Sequence, residues 1–490
     1  YKASGRPYVS VDLDGSSWNA SHDRFTVVYR IDEDGDVRFG EILVRGNFKT
    51  LDRVIRKDLP FKPGDKFDYT KLDEGERNLR THLIFNTVRV QALTEGHRNP
   101  VPVLVTVQER YLELLGTATF AAGVATDKLP YYSYLQVGYL WNNFFGLGSQ
   151  VEARFDTGFS DQSLGVSLRY TDLRAFGPGW RADFNGFYRR EITQRLGPIE
   201  TYGLSLGVTK YLTPALRLFG RYDIYRAQIS VGFNRIDGPN DLATVQDNTN
   251  TAKLGFGVVW DRRVGADGQP NPLAPVKGWL VSGSIGWATP YLGGDHQFLL
   301  FSGQVLGLLP FKLRGTGFTL MGNLRYDEGI PIGESALPLV ERFFAGGDTT
   351  TRGYDTDTLK SEIIRAQVAP ISGAQGFRVI PQGGNIRMLS TVEIQFPIAK
   401  SFFGLQFPWM GAIFYDAGAI VDALNLVGWS DIKHSIGVSL LRIVTPVGPL
   451  SFEYAYPLSQ SLAEERWKTS PWYSHFPGRI HFNWGIALSR

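Results

Sequence analysis

The chain has 490 residues, 43% hydrophobic and 20% charged, with no Cys and a formal net charge of +3. The apolar share excludes global disorder, and the lack of Cys excludes a disulfide scaffold, a thiolate metal site and a Cys nucleophile. The near-zero charge gives no support for nucleic acid as a partner, and length alone suggests roughly two to four soluble domains. In chain order, residues 37–110 read as a small α+β module. VRFGEILVRG (37–46) alternates and breaks at Gly46-Asn47, a turn signal. Thr50 is placed to cap a helix with Leu51, Val54 and Ile55 on one face. A second helical pattern carries Leu72, Leu79 and Leu83. Two strand-like runs follow, NTVRVQAL (86–93) and VPVLVTVQE (101–109). The predicted order is β-α-α-β-β.

After residue 110 helical spacing disappears and runs of about ten residues alternate strictly. WRADFNGFYRRE (180–191) sets Trp180, Ala182, Phe184 and Tyr188 against Arg181, Asp183, Asn185 and Arg189. FTLMGNLRYDE (318–328) and RIHFNWGIALS (479–489) repeat the pattern. About sixteen such runs fit between 112 and 490, the signature of an even-numbered membrane barrel. A soluble sandwich or propeller also alternates, but two features favour the barrel. Tyr139, Trp141, Trp180, Trp260, Trp279 and Trp287 sit at run ends, as interface girdles require. The opposite face carries Arg, Glu, Asp and Asn, which suits a wet lumen. No stretch has the ~18 apolar residues of a membrane-spanning helix, and the first residues lack a signal-peptide pattern. The longest interruption, 328–386, mixes aromatics, glycines and an Arg and reads as an ordered loop.

The C-terminal third carries a resemblance. ERFFAGG (341–347) precedes Arg352-Gly353-Tyr354; then come GGN…STVEIQFPI (383–398), FYDAG (414–418) and TPVGPLSFEYAYPL (445–458). In that order these pieces resemble the outer-membrane assembly and secretion family that includes BamA, TamA and the two-partner secretion transporters. The resemblance implies a sixteen-stranded antiparallel transmembrane β-barrel over 111–490, preceded by a POTRA domain over 37–110. Residues 1–36, with YVSVD as a helix end and FTVVYRIDEDGD as a final hairpin, are then expected to be the tail of a preceding POTRA domain. Arg352-Gly353-Tyr354 matches the tip of the family's long inward loop, and FYDAG matches its F-x-D-x-G strand.

The residues allow part of this to be argued separately. Ile413 and Tyr415 should meet lipid, so Phe414, Asp416 and Gly418 face the lumen; Val392 and Ile394 likewise place Glu393 inside. Two inward carboxylates on adjacent strands would hold Arg352 by charge-assisted bonds. Without the motif context, Arg352 reads as an ordinary solvated loop residue. Gly353 is expected to let the tip turn sharply. A closed barrel must also pair its first run, 112–124, with its last, 479–489. Leu112, Gly116, Thr117 and Phe120 mark the first; Ile480, Phe482, Trp484 and Ile486 mark the last. The first run is rich in Gly, Ala and Thr with few strong β-formers, and Gly weakens a strand. From composition alone a plain closed barrel suffices; the resemblance implies a lateral gate that offers an unpaired edge to another strand.

The functional expectation is therefore an outer-membrane insertase of a Gram-negative bacterium, its POTRA domain in the periplasm. It would fold and insert β-barrel clients without nucleotide or cofactor. Its partners would be outer-membrane lipid, unfolded client proteins and periplasmic accessory proteins or lipoproteins. The alternatives are a two-partner secretion transporter with one dedicated substrate, or a passive diffusion pore. Enzyme readings find no support. GLSLG (203–207) fits G-x-S-x-G but alternates as a strand with no strand-turn-helix context. The seven His form no metal-ligand pair.

Overall fold

The computed structural model describes residues 6–33, 35–82, 84–96, 98–110, 117–125, 132–158, 163–193, 197–235, 242–272, 274–333, 337–354, 356–360, 363–368, 376–381, 383–399, 409–445, 448–459 and 478–489. They form two compact units. One holds Tyr1–Thr117, Leu140–Val151 and Thr171–Trp180; the other holds the rest of the chain.

The first unit opens with a hairpin of β1 (Ser10–Trp18) and β2 (Phe25–Asp32), in register from Ser10↔Asp32 to Trp18↔Phe25. The segment read as a helix end is thus turn and strand. Val9, Val11 and Leu13 alternate with Ser10 and Asp12, a period-2 pattern that outweighs the short helix signal.

The α+β module follows as β3 (Phe39–Arg45), α1 (Asp52–Lys57), α2 (Tyr69–Arg80), β4 (Phe85–Ala92) and β5 (Val101–Glu109). Its sheet order is β3-β5-β4, with β3 parallel and β4 antiparallel to the central strand. Centrality shows in the sequence of β5: Val101, Val103, Val105 and Val107 are all buried. They meet an aromatic cluster in which Phe39 packs 4.2 Å from Phe61 and 4.8 Å from Phe67, centroid to centroid. Helix α2 turns Leu72 and Leu79 into this core, while Leu83 lies outside the described residues. Asp68 caps α2 by accepting from the Thr70 N–H.

Thr50 does not cap α1; Leu51 is the N-cap residue and makes no side-chain cap. The Thr50 hydroxyl instead meets the Glu109 carboxylate and accepts from Asn143 Nδ2 at 2.8 Å. The same unit therefore ties the module to the 142–148 turn, where Gly146 O accepts the Leu51 N–H at 2.9 Å. From the 171–180 segment, Arg174 reaches Asn78 O at 2.9 Å and Asp58 Oδ2 at 3.5 Å.

The wall begins with β6 (Thr117–Ala125), β7 (Tyr132–Trp141), β8 (Ser149–Gly158), β9 (Leu164–Asp172), β10 (Trp180–Thr193) and β11 (Gly197–Tyr211). It continues with β12 (Leu216–Arg235), β13 (Leu242–Asp261), β14 (Gly278–Ala288), β15 (Phe298–Leu313) and β16 (Thr316–Pro331). β17 (Ile363–Val368) and β18 (Gly376–Pro381) form a hairpin within the long loop. β19 (Ile386–Ala399), β20 (Trp409–Val421), β21 (Lys433–Thr445), β22 (Gly448–Pro457) and β23 (Arg479–Ser489) complete it. β16 pairs directly with β19, and β23 pairs with β6, so β6–β16 and β19–β23 are the sixteen strands of a closed antiparallel barrel. Most of the chain is one closed sheet, not the several soluble domains its length suggested. An apolar outer face repeated around the wall is buried only by lipid. Among the described residues no helix is long and apolar enough to cross a membrane.

The aromatics fall where the alternation placed them. Trp141 ends β7, Trp180 starts β10, and Trp260 near the end of β13 meets Trp279 near the start of β14 at 4.5 Å. The first wall strand runs 117–125, so Leu112 and Gly116 lie outside the described residues, whereas Thr117 and Phe120 are in the seam strand.

Candidate functional site

The site is built from β19 and β20 inward. Their register sets Glu393 opposite Phe414 and Thr391 opposite Asp416. Val392, Ile394, Ile413 and Tyr415 are exposed on the outer face, and Glu393, Phe414 and Asp416 are buried on the inner one. The alternation of the strands is enough to produce this, because successive side chains leave opposite faces.

The long loop brings Arg352 onto these residues. Its Nε and Nη2 donate to the two oxygens of Asp416 at 2.8 and 2.9 Å, a bidentate fork. Its own backbone N–H donates to Asp416 Oδ2 at 3.2 Å. Nη1 reaches Glu393 Oε2 at 3.3 Å and Glu453 Oε2 at 3.2 Å. The guanidinium plane lies 3.2 Å from the Phe414 ring centroid, a cation–π stack. Phe414 has room because its partner across β21 is Gly437, where any Cβ would come within 2.3 Å of the ring. Asp416 is 0% exposed and Arg352 6%, so both ions are desolvated and their pairing carries the cost of burial.

Two members of the cluster lie outside the sequence reading. Arg442 of β21 binds both carboxylates: Nη1 pairs with Glu393, and Nη2 donates to Glu453 Oε1 at 2.7 Å. Glu453 of β22 had a signal, since Phe452, Tyr454 and Tyr456 alternate with it. Arg442 had none. Ser435, Gly437 and Ser439 share its strand's inner face, which by strict alternation turns Arg442 outward. A β-bulge between Ser439 and Leu441 resets the phase and turns it inward. Three carboxylates thus surround two guanidiniums.

The tip does turn at Arg352-Gly353, where the Tyr354 N–H donates to Thr351 O at 3.2 Å. Gly353 does not have a left-handed φ; what requires glycine there is close approach to the wall. A Cβ there would lie 2.5 Å from Ser435 Cβ and 3.1 Å from the Pro457 backbone N. Tyr354 is fully buried among Ala345, Leu359 and Ile420. Its hydroxyl donates to His434 O at 2.9 Å, with Ser459 O at 3.1 Å. Gly418 faces the same packing, where a Cβ would meet Leu359 and Thr351 at 2.9 Å.

The loop is also held away from its tip. Glu341 accepts from Lys253 Nζ of β13 at 2.9 Å and from the Tyr225 hydroxyl of β12. Lys360 Nζ reaches Gly383 O at 2.7 Å and Asp422 at 2.8 Å. Arg387 joins Asp327 at 2.9 Å to Phe344 O at 3.0 Å. The pins reach from β12 and β13 to β19 and the end of β20, with β14–β16 between them along the wall.

At the seam, Asn483↔Ala125 through Ser489↔Thr119 form the β23–β6 ladder. Gly123 faces Gly485 within it. Ile480 and Trp484 are exposed on the outer face and Phe482 is part-buried; Ile486 pairs with Ala122. GLSLG lies within β11 as a plain strand, with Leu204 and Leu206 exposed and Ser205 accepting from Arg221 Nη2 at 2.9 Å.

Comparison with known proteins places this architecture. The model of the Omp85 superfamily domain matches residues 143–488, and the POTRA model, described as surface antigen variable number repeat, matches 37–110. The chain is 23% identical over 469 residues to outer membrane protein assembly factor BamA of Nitratidesulfovibrio vulgaris, covering 94% of this chain and 52% of that protein. It is 25% identical over 501 residues to the factor of the same name from Neisseria meningitidis serogroup B, covering 91% and 57%. The chain thus spans about half the length of these curated relatives. In fold it is similar to BamA from Haemophilus ducreyi lacking POTRA domains 1–3, with a TM-score of 0.74 at 16% identity, covering 99% of this chain and 91% of that one. CdiB from Acinetobacter baumannii gives a TM-score of 0.53 at 15% identity, covering 99% and 79%. With the Omp85 model spanning well over half of its length, the chain belongs to the Omp85 superfamily, as an outer-membrane β-barrel that carries a periplasmic POTRA domain.

Proposed function

We propose that this protein assembles β-barrel clients into the outer membrane by templating their strands at the β6–β23 seam. The relatives named as assembly factors support the role, and a Gly–Gly pair within the seam ladder carries the mechanism. Among the described residues the seam sets Gly123 against Gly485, where no side chain reinforces the backbone pairing. Backbone hydrogen bonds are indifferent to side chains, so an unpaired client edge can replace one seam strand with the other. No nucleotide or cofactor enters: the client's own strand pairing and burial in lipid supply the free energy. Residues 1–36 fit the tail of a preceding POTRA domain, and clients or accessory proteins would meet the POTRA sheet at its edges. The β4 edge is guarded at one point, where Glu76 Oε2 accepts the Val90 N–H at 3.0 Å.

The test is a seam lock. The chain has no Cys, so Ala121→Cys with Ala487→Cys, a register pair across the seam, introduces one disulfide. Client insertion should stop when it forms and return on reduction; full activity of the oxidised protein would overturn lateral templating. The CdiB likeness supports a second reading, a two-partner secretion transporter exporting one dedicated substrate. Depletion in the native host separates them: loss of many outer-membrane barrels marks an insertase, and loss of one secreted protein marks an exporter.

A further inference from the structure

Three phenylalanines of the unit that carries the POTRA module project almost clear of the protein. Phe48, between β3 and α1, is 97% exposed, Phe145 of the 142–148 turn 69%, and Phe176 of the 171–180 segment 67%. One exposed apolar residue needs no explanation. These three converge on one feature. Trp141 shares a face of β7 with the exposed Val137 and Tyr139, so its ring points to lipid; Trp180 shares a face of β10 with the exposed Phe184. Phe145 lies 5.7 Å from Trp141, centroid to centroid, and Phe176 meets Trp180 edge-on at 5.6 Å. Phe48 is followed by Lys49, whose Nζ lies 5.9 Å from the Trp141 ring centroid and whose carbonyl abuts Gly146 so closely that no Cβ fits there.

The backbone is strained to place one of these rings. Phe145 has φ +49° and ψ +28°, the left-handed region, where a bulky side chain is an outlier. Such strain persists only where the surroundings over-determine it. Here the turn is held from both sides: Gly146 O accepts the Leu51 N–H at 2.9 Å, and Asn143 Oδ1 accepts the Gly148 N–H at 2.8 Å. The strained residue presents its ring to the outside rather than to a core. Cations flank the rings. Lys49 covers Trp141, and Lys57 Nζ donates to Ala175 O at 2.9 Å, one residue before Phe176. Aromatic rings beside lysines suit a surface that rests between acyl chains and headgroup phosphates.

We propose that Phe48, Phe145 and Phe176 insert into the phospholipid leaflet that faces the periplasm, and so anchor the POTRA domain to the membrane beside the 142–148 and 171–180 turns. The occupant is lipid because the rings continue the outward girdle of Trp141 and Trp180, which lies on the lipid side of the wall. Phe48 carries the anchor into the POTRA domain. It belongs to that domain but not to its core, so its ring serves contacts outside the chain. The polar bonds of Thr50, Leu51 and Arg174 fix the domain to the two turns; the rings fix both to the membrane plane. The anchor is the same whether the protein inserts clients or exports a substrate.

Photocrosslinking tests it. Phe48→p-benzoylphenylalanine, and the same change at Phe145 or Phe176, keeps an aromatic ring at an exposed site and should leave folding intact. The full chain is irradiated in nanodiscs of phosphatidylethanolamine and phosphatidylglycerol, and in membranes of the native host, and the adducts are identified by mass spectrometry. Burial of a phenyl ring in lipid favours the inserted state by roughly ten- to a hundredfold. Phospholipid adducts at 48 should therefore exceed those of a Gln91→p-benzoylphenylalanine control, at an exposed position of β4, by at least about tenfold in both settings. Equal yields at 48 and 91 overturn the anchor. A protein adduct at 48 in host membranes, with a client, an accessory protein or a second copy of this chain, also overturns it, because that partner then covers the ring. Lipid adducts at 145 and 176 without one at 48 would reduce the feature to an ordinary girdle and overturn its reach into the POTRA domain.

Discussion

The loop-tip site and the β6–β23 seam belong to the same barrel and are held by opposite means. The tip is fixed by directional charge: a bidentate fork from Arg352 to Asp416, a second guanidinium from Arg442, and a ring under the first. At the seam, among the described residues, a backbone ladder sets Gly123 against Gly485, where no side chain adds to the pairing. A guanidinium between three carboxylates accepts no substitute, since each oxygen and N–H has one position. A backbone ladder accepts any strand. The first arrangement suits a part that must return to one place, the second a part that must change partners.

Removing Arg352 should separate the two most sharply. Among the described residues Arg352 is the one cation paired with Asp416, which is fully buried. Taking away one partner of a buried pair costs about 3–5 kcal/mol. Arg352→Ala should lower the denaturant midpoint of the folded barrel and expose the loop to protease; no change in either measurement would sink the pin. Adding Asp416→Asn should recover part of the loss, because the stranded charge is then gone. Gly353→Ala should do less. Its Cβ would sit 2.5 Å from Ser435 Cβ and against the Pro457 backbone, and overpacking of this sort costs about 1–3 kcal/mol. The expected result is faster loop cleavage with the barrel intact; a loop as resistant as that of the parent would show that the wall yields.

The smallest effect concerns the POTRA edge. Glu76→Ala frees the Val90 N–H on β4 and should shift stability by no more than about 0.5 kcal/mol, as surface changes usually do. It should tighten binding of an extended client peptide, measured by titration against the full chain. Unaltered affinity would take the β4 edge out of the account.

Much of the site was legible. Ile413 and Tyr415 told where Asp416 points, and Val392 and Ile394 did the same for Glu393. Glu453 could have been read by the same rule from Phe452 and Tyr454. Arg442 could not, because the bulge at Ser439/Leu441 reverses the phase of its strand. Thr50 illustrates the same limit in the POTRA module. Its sequence position suggested a helix cap, but Glu109, at the end of β5, and Asn143, in a distant turn, claim its hydroxyl.

By itself the sequence determined the sheet: alternation is a local property of extended backbone, so each strand declares its wet and its lipid face without reference to its neighbours. Which of the inward side chains meet was decided only by the tertiary structure. Register, a bulge and the path of one loop bring Arg352, Arg442, Glu393, Asp416 and Glu453 together from residues far apart in the chain. Those contacts depend on how strands slide past one another, and no periodicity within a single strand encodes that.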